Sequence, residues 1–276
     1  MMELGARTFD VTGGQMFVRY GSIDRARQTI LFIHGIGESG LCFIEALTHP
    51  SLAEFNIVIP DLTGFGRSRA AETEDYSLEA QALRIGGLLD VLELEAIHLI
   101  GHSMGGDIGT VVCERRPHAV RTFVNVEGNL TPADGFITSR AMEAEKNGRF
   151  EEWLRGEFCH ETIAGWAIDS PSAVRYLASI QMCRPEAFLN SARQVCELNE
   201  SAPDGNGSVI GQQFMNLSLR KTFCWGSIGE DSKSFLRKNS IPNKEFPGTS
   251  HWVMIDAADN FYGYVAEFLN DCSVSR

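Results

Sequence analysis

Nowhere in the 276 residues do two cysteines stand in a C-x-x-C pair. The seven cysteines, at 42, 113, 159, 183, 196, 224 and 272, are odd in number and widely spaced, which argues against a disulfide framework or a zinc site and predicts reduced thiols. Long apolar runs are also missing. No stretch of 18 apolar residues occurs, so no membrane-spanning helix is expected. The first residues, Met1-Met2-Glu3-Leu4-Gly5-Ala6-Arg7, lack the seven-residue apolar core of a secretory signal, and a cytoplasmic location is the expectation. Basic residues are outnumbered, 24 Lys and Arg against 36 Asp and Glu, for a formal charge of −12 and a pI near 5.1. A field of that sign repels polyanions, so neither nucleic acid nor an anionic membrane is expected as a partner. No internal repeat or low-complexity tract is visible. What remains is one large domain with an insertion, long enough to bury its core without disulfides or metals.

The most informative segment is Gly101-His102-Ser103-Met104-Gly105-Gly106, directly after the apolar run Ile97-His98-Leu99-Ile100. A serine flanked by glycines can sit at the tip of a sharp strand-to-helix turn, because small neighbours let the backbone bend and leave the hydroxyl exposed. With 27 glycines in the chain, G-x-S-x-G alone is a moderate signal. Context strengthens it, since Asp107 to Arg116 reads as a small-residue helix that stops at Pro117. Three further segments follow the same logic. Ile30 to Ile33 is a buried-type strand ending in the glycine-rich loop His34-Gly35-Ile36-Gly37-Glu38-Ser39-Gly40, a candidate for presenting backbone amides to a bound group. Asn56 to Ile59 runs into the turn Asp61-Leu62-Thr63-Gly64-Phe65-Gly66-Arg67-Ser68. Late in the chain, Thr249-Ser250-His251-Trp252 follows the strand-like Lys244-Glu245-Phe246.

The chain is β-rich for its first 60 residues and then alternates strand and helix to about residue 127. From 128 to 219 the alternation gives way to helical stretches over Ile137–Phe158, Ser172–Met182 and Pro185–Leu198. Pro171 and Pro185 suit helix starts, and Pro203-Asp204-Gly205-Asn206-Gly207 reads as the loop leading back to the sheet. Residues 1–127 and 220–276 are therefore expected to form a core, and 128–219 a helical insertion.

Together, HGIG, DLTGFGRS, GHSMGG and the late SHW resemble the α/β-hydrolase superfamily, in the subgroup with a helical cap, over nearly the whole chain. The resemblance implies an α/β fold with an eight-stranded, mostly parallel sheet, helices on both faces and the cap inserted after strand six. It also implies a triad in the order serine, acid, histidine. Ser103 is the implied nucleophile. His251 is the implied base, because it alone ends the last strand; His34, His98 and His102 sit within strands or motifs with structural roles in the family, and His49, His118 and His160 have no motif around them.

The acid departs from the commonest family pattern. Many relatives read W-G, two variable residues and Asp, whereas here Trp225-Gly226-Ser227-Ile228 is followed by Gly229. Glu230 and Asp231 come one and two residues late. A second arrangement, similar to that of haloalkane dehalogenases and some lipases, puts the acid at the tip of the strand after the elbow helix. There Thr122-Phe123-Val124-Asn125-Val126 ends in Glu127-Gly128, 24 residues after Ser103, at the strand edge where α/β sheets build their sites. Glu127 is the favoured acid, with Glu230 and Asp231 left open and, as its structural alternative, capping of the next segment's backbone or an ion pair to a cap arginine such as Arg140.

The chemistry implied is acyl transfer to Ser103, with the oxyanion held by the backbone N–H groups of Ile36 and Met104. No metal or organic cofactor is needed. Serine at the elbow speaks against dehalogenation and epoxide hydrolysis, leaving ester, thioester, lactone or amide cleavage of a small, largely apolar substrate. Trp153, Phe158, Trp166, Met182 and Trp252 are candidate pocket residues, with packing of the cap as their alternative role. His251-Trp252 with Ala258-Asp259-Asn260-Phe261 also resembles hydrolases that cleave carbon–carbon bonds of ring-fission diketones. A ligand-binding protein, lyase or cyclase on the same fold is the reading from another class. A small-molecule substrate is the expected partner, with association into a homodimer left open.

Overall fold

The computed structural model describes residues 4–21, 23–70 and 75–271; Met1 to Glu3, where the absence of a leader was read, and Cys272 lie outside them. One mixed sheet organises the chain. Its strands are β1 (Gly5–Val11), β2 (Gly14–Tyr20), β3 (Thr29–Ile33), β4 (Asn56–Pro60), β5 (Arg69–Ala70), β6 (Ile97–His102), β7 (Val120–Val126), β8 (Arg220–Trp225) and β9 (Asn243–Glu245). In space the order is β1-β2-β4-β3-β6-β7-β8-β9, with β5 beside β2. The sheet holds nine strands where eight are expected. The ninth strand is the two-residue β5, where Arg69 and Ala70 pair with Gln15 and Gly14.

From β4 to β9 every neighbouring pair is parallel, and only β2 runs against the others, pairing antiparallel with β1, β4 and β5. The reason lies in the residues: β3 and β4 are buried at every position, as strands covered on both faces must be. The exposed β1 forms one edge and the exposed β9 the other.

The helices are α1 (Leu78–Val91), α2 (Met104–Arg115), α3 (Phe136–Lys146), α4 (Phe150–Glu152), α5 (Ala164–Trp166), α6 (Pro171–Ile180), α7 (Pro185–Leu198), α8 (Val209–Asn216), α9 (Glu230–Lys238), α10 (Val253–Asp256) and α11 (Ala258–Asn270). A π-wound stretch, Trp153–Ile163, joins α4 to α5. Helices α3 to α8 all lie between β7 and β8. Pro171 and Pro185 occupy first helical positions, and Ser170 caps α6 by accepting from the Ala173 N–H, as a missing amide and a short hydroxyl favour there.

Two expectations of this segment need correction. The stretch expected as one helix, Ile137–Phe158, is broken at Asn147-Gly148, where Gly148 takes φ +68°, a conformation glycine adopts at no steric cost. The region expected to lead straight back to the sheet instead holds α8, capped by Ser208 accepting from the Gly211 N–H. None of the described helices is long and apolar enough to cross a membrane.

Candidate active site

Ser103 stands between β6 and α2 with φ +53° and ψ −126°, a conformation costly for any residue with a Cβ. Its surroundings enforce the bend. A Cβ on Gly101 would come within 2.2 Å of the Gly105 carbonyl oxygen, and one on Gly105 within 2.2 Å of the Ile33 carbonyl oxygen. The Ser103 N–H donates to Val126 O at 2.8 Å, tying the elbow to the end of β7.

Glu127 comes one residue after β7 and also has positive φ, +49°. Its side chain is 2% exposed, so its charge needs partners. Oε1 accepts the Gly226 N–H at 2.6 Å and the Ser227 N–H at 2.7 Å. Oε2 lies 2.6 Å from His251 Nδ1. Burial pushes the carboxyl up, but the His251 hydrogen bond and charge, helped by the two amides, hold it below the ordinary glutamate range. The loop after β8 thus supplies two backbone donors to a carboxylate borne at the end of β7. Glu230 and Asp231 are exposed on α9, and Glu230 pairs with Arg237 at 2.5 Å. Arg140 is not among the partners of Glu127.

For His251, burial favours the neutral ring, but the hydrogen bond and charge of Glu127 outweigh it and hold the imidazole above the ordinary histidine value. The Nδ1–H donated to a carboxylate leaves Nε2 as the basic nitrogen. Neither Ile36 N nor Met104 N has a hydrogen-bond partner among the described residues, and Met104 opens α2, where the helix dipole favours negative charge. Tyr176 Oη donates to Ile36 O at 3.1 Å and Ser39 Oγ meets Ser179 Oγ at 2.9 Å, so α6 holds the glycine loop in place.

A cavity of about 600 Å³ opens over these groups, and Ser103, Met104, Ile36, Glu127 and His251 all line it. Of the five aromatic and methionine candidates, Trp166 and Trp252 line this cavity. Trp153 and Phe158 do not. They are buried and stacked on one another at 4.9 Å between ring centroids, with Phe150 and Phe188 around them, which makes them the core of the helical segment. Met182 is 38% exposed and away from the cavity wall. Residues the sequence reading passed over stand in their place: Phe136, Ile137, Ile228 and Asn129. Among the described residues, no group of three or more His, Cys, Asp or Glu side chains is placed to hold a metal ion.

A family model for the alpha/beta hydrolase fold matches residues 28–159. A protein of Mycobacterium tuberculosis, itself uncharacterised, is 34% identical over 262 residues, covering 87% of this chain and 75% of that protein. The chain belongs to the α/β-hydrolase family. Over a shorter span, the 2-hydroxy-6-oxo-2,4-heptadienoate hydrolase of Pseudomonas putida is 33% identical to this α/β-hydrolase, covering 36% of this chain and 37% of that enzyme. Solved structures show the same fold at low identity. The N-acyl homoserine lactonase AidH complexed with N-butanoyl homoserine superposes with a TM-score of 0.73, 18% identity and coverage of 99% of this chain and 98% of that one. The haloalkane dehalogenase DbeA of Bradyrhizobium elkani reaches 0.77 at 16% identity, covering 99% of this chain and all of that one. Fold is thus shared with a dehalogenase, although this α/β-hydrolase has serine at the elbow.

Proposed function

We propose that this α/β-hydrolase is a serine hydrolase that cleaves an ester, thioester or lactone of a small, largely apolar substrate through an acyl-enzyme on Ser103. The observation that carries the reading is the 2.6 Å contact of Glu127 with His251 Nδ1 beneath a cavity that Ser103 and His251 share. His251 Nε2 takes the Ser103 proton as the oxygen attacks the carbonyl, and Glu127 holds the ring in the required tautomer and balances its charge. The N–H groups of Ile36 and Met104 receive the oxyanion, each such donor contributing about 3 to 4 kcal/mol in the transition state. His251 then protonates the leaving group, and water attacks the acyl-enzyme by the reverse proton path. The helical segment over the sheet acts as the cap and supplies Phe136, Ile137 and Trp166 to the cavity wall. A volume of about 600 Å³ suits a small ligand.

Incubation with a fluorophosphonate followed by mass spectrometry tests this. The parent should carry the adduct on Ser103, and Ser103→Ala should lose both the adduct and nitrophenyl ester hydrolysis while melting as the parent does. A folded parent that takes no label, together with saturable ligand binding, would move the assignment to a binding or non-hydrolytic role. The position of Trp252 in the cavity wall keeps carbon–carbon bond hydrolysis as a second reading of the same machinery. Turnover of a ring-fission diketone faster than of any ester would select it.

A further inference from the structure

Three loops of the site meet at one buried carboxylate that the mechanism above does not use. Glu38, 3% exposed, accepts the Gly35 N–H at 2.6 Å and faces His102 Nδ1 at 2.9 Å through Oε2, and accepts the Trp252 Nε1–H at 2.5 Å through Oε1. Burial pushes the Glu38 carboxyl up, but the His102 contact and the Gly35 N–H outweigh it and hold the group at about 2. His102, 1% exposed, has its other ring nitrogen 2.9 Å from the carbonyl oxygen of His251. The ring is thus held at both nitrogens, by the Glu38 carboxyl group on one side and the His251 carbonyl on the other.

We propose that the buried, hydrogen-bonded Glu38–His102 pair is a positioning unit for the reaction, locking the Gly35–Ile36 loop, the elbow and the His251–Trp252 segment into one register. The inference rests on the triad reading. A buried carboxylate brings little net stability for its desolvation cost, so packing alone does not account for one at this junction. Its placement does: Glu38 is two residues from Ile36, His102 adjoins Ser103, and the ring centroids of His102 and His251 are 4.6 Å apart. Cys42, Tyr176 and His34 also face Glu38, while Glu127, Asp134 and Glu38 are the carboxylates acting on His251. Loss of the Glu38 charge therefore disfavours protonated His251 as well as loosening the loops.

The test compares Glu38→Gln, His102→Gln and the double variant with the parent. It measures kcat and KM on 4-nitrophenyl butyrate across pH, the rate of fluorophosphonate labelling, and melting temperature. Glu38→Gln should keep KM within about twofold and lose about 100-fold in kcat, the effect of a displacement near 1 Å in a catalytic group. The acid limb of its kcat/KM profile should move to lower pH, which a purely structural defect would not produce. The double variant, which removes both partners of the contact, should be no slower than the poorer single variant, since members of one unit are not additive. It carries the same readouts if Glu38→Gln does not fold. Parental kcat and acid limb in a folded variant, or single losses that multiply in the double, overturn the proposal. A parent that fails to label at Ser103 overturns the triad reading instead.

Discussion

Replacing Glu127 by glutamine changes one atom, and the geometry around it dictates which way the new amide must face. Oε1 receives two backbone N–H groups, from Gly226 and Ser227, and Oε2 receives one ring N–H, from His251. Turning the amide nitrogen toward the backbone pair would set donors against donors and leave two buried amides unpaired, at about 1 to 3 kcal/mol each. The glutamine oxygen therefore stays with Gly226 and Ser227, and its NH2 group faces His251 Nδ1. That nitrogen must become the acceptor, which moves the ring proton to Nε2, the atom that the proposed mechanism uses as base toward Ser103. The wrong tautomer is the outcome, and such an inversion in a serine triad lowers kcat by about 10,000-fold, or about 5.5 kcal/mol. The assay is steady-state hydrolysis of a nitrophenyl ester by purified Glu127→Gln beside the parent, with circular dichroism and thermal melting to show an intact fold. Retention of more than about a tenth of parental kcat by a folded variant would refute the reasoning and return the acid role to Glu230 or Asp231.

Three other outcomes are expected. Ser103→Gly should raise the melting temperature above that of Ser103→Ala, by about 1 kcal/mol of stability, because glycine relieves the positive φ that alanine keeps; alanine melting as high as glycine would show that the elbow is unstrained. Since Glu127 holds His251 above the ordinary value of 6.5, and only the neutral ring accepts a proton, kcat/KM should fall as pH drops, with a midpoint above 6.5. A midpoint near 5 would contradict the ion pair. Burial pushes Asp107 up to about 7, against hydrogen bonds from Asn129 that pull it down. A folded-state value above the unfolded one means that its contribution is complete below about pH 4 and lost as pH rises through 7. The parent should accordingly lose melting temperature relative to Asp107→Asn between pH 5 and 8, and parallel curves would show that Asp107 titrates normally.

How much of the site was legible depended on how local its causes are. Gly101 is needed because a Cβ there would strike the Gly105 carbonyl four residues on, a requirement that G-x-S-x-G between a strand and a helix states locally, whereas Gly105 is held small by the Ile33 carbonyl of β3, on a distant segment. Glu127 was legible only as a carboxylate at a strand end, because its partner lies 124 residues on and its backbone donors 99 and 100 residues on. Glu38 and His102 were visible only as members of HGIGES and GHSMGG. A signal for their pairing was present, a carboxylate within a glycine-rich loop, but nothing in the sequence says which histidine faces it.

The same boundary separates the pocket residues. Trp153 and Phe158 have the spacing and character of cavity-lining aromatics, and so do Phe136 and Trp166. Which pair turns inward depends on where Asn147-Gly148 breaks the first helix and how α6 docks on the glycine loop. Sequence by itself determined the α/β sheet and the order of nucleophile, acid and histidine candidates along the chain, since periodicity and turn chemistry act over a few residues. Only the tertiary structure decided which carboxylate meets His251, which aromatics reach the cavity, and that a second Glu–His pair lies beneath the site, because those choices are made by contacts between segments about 60 to more than 200 residues apart.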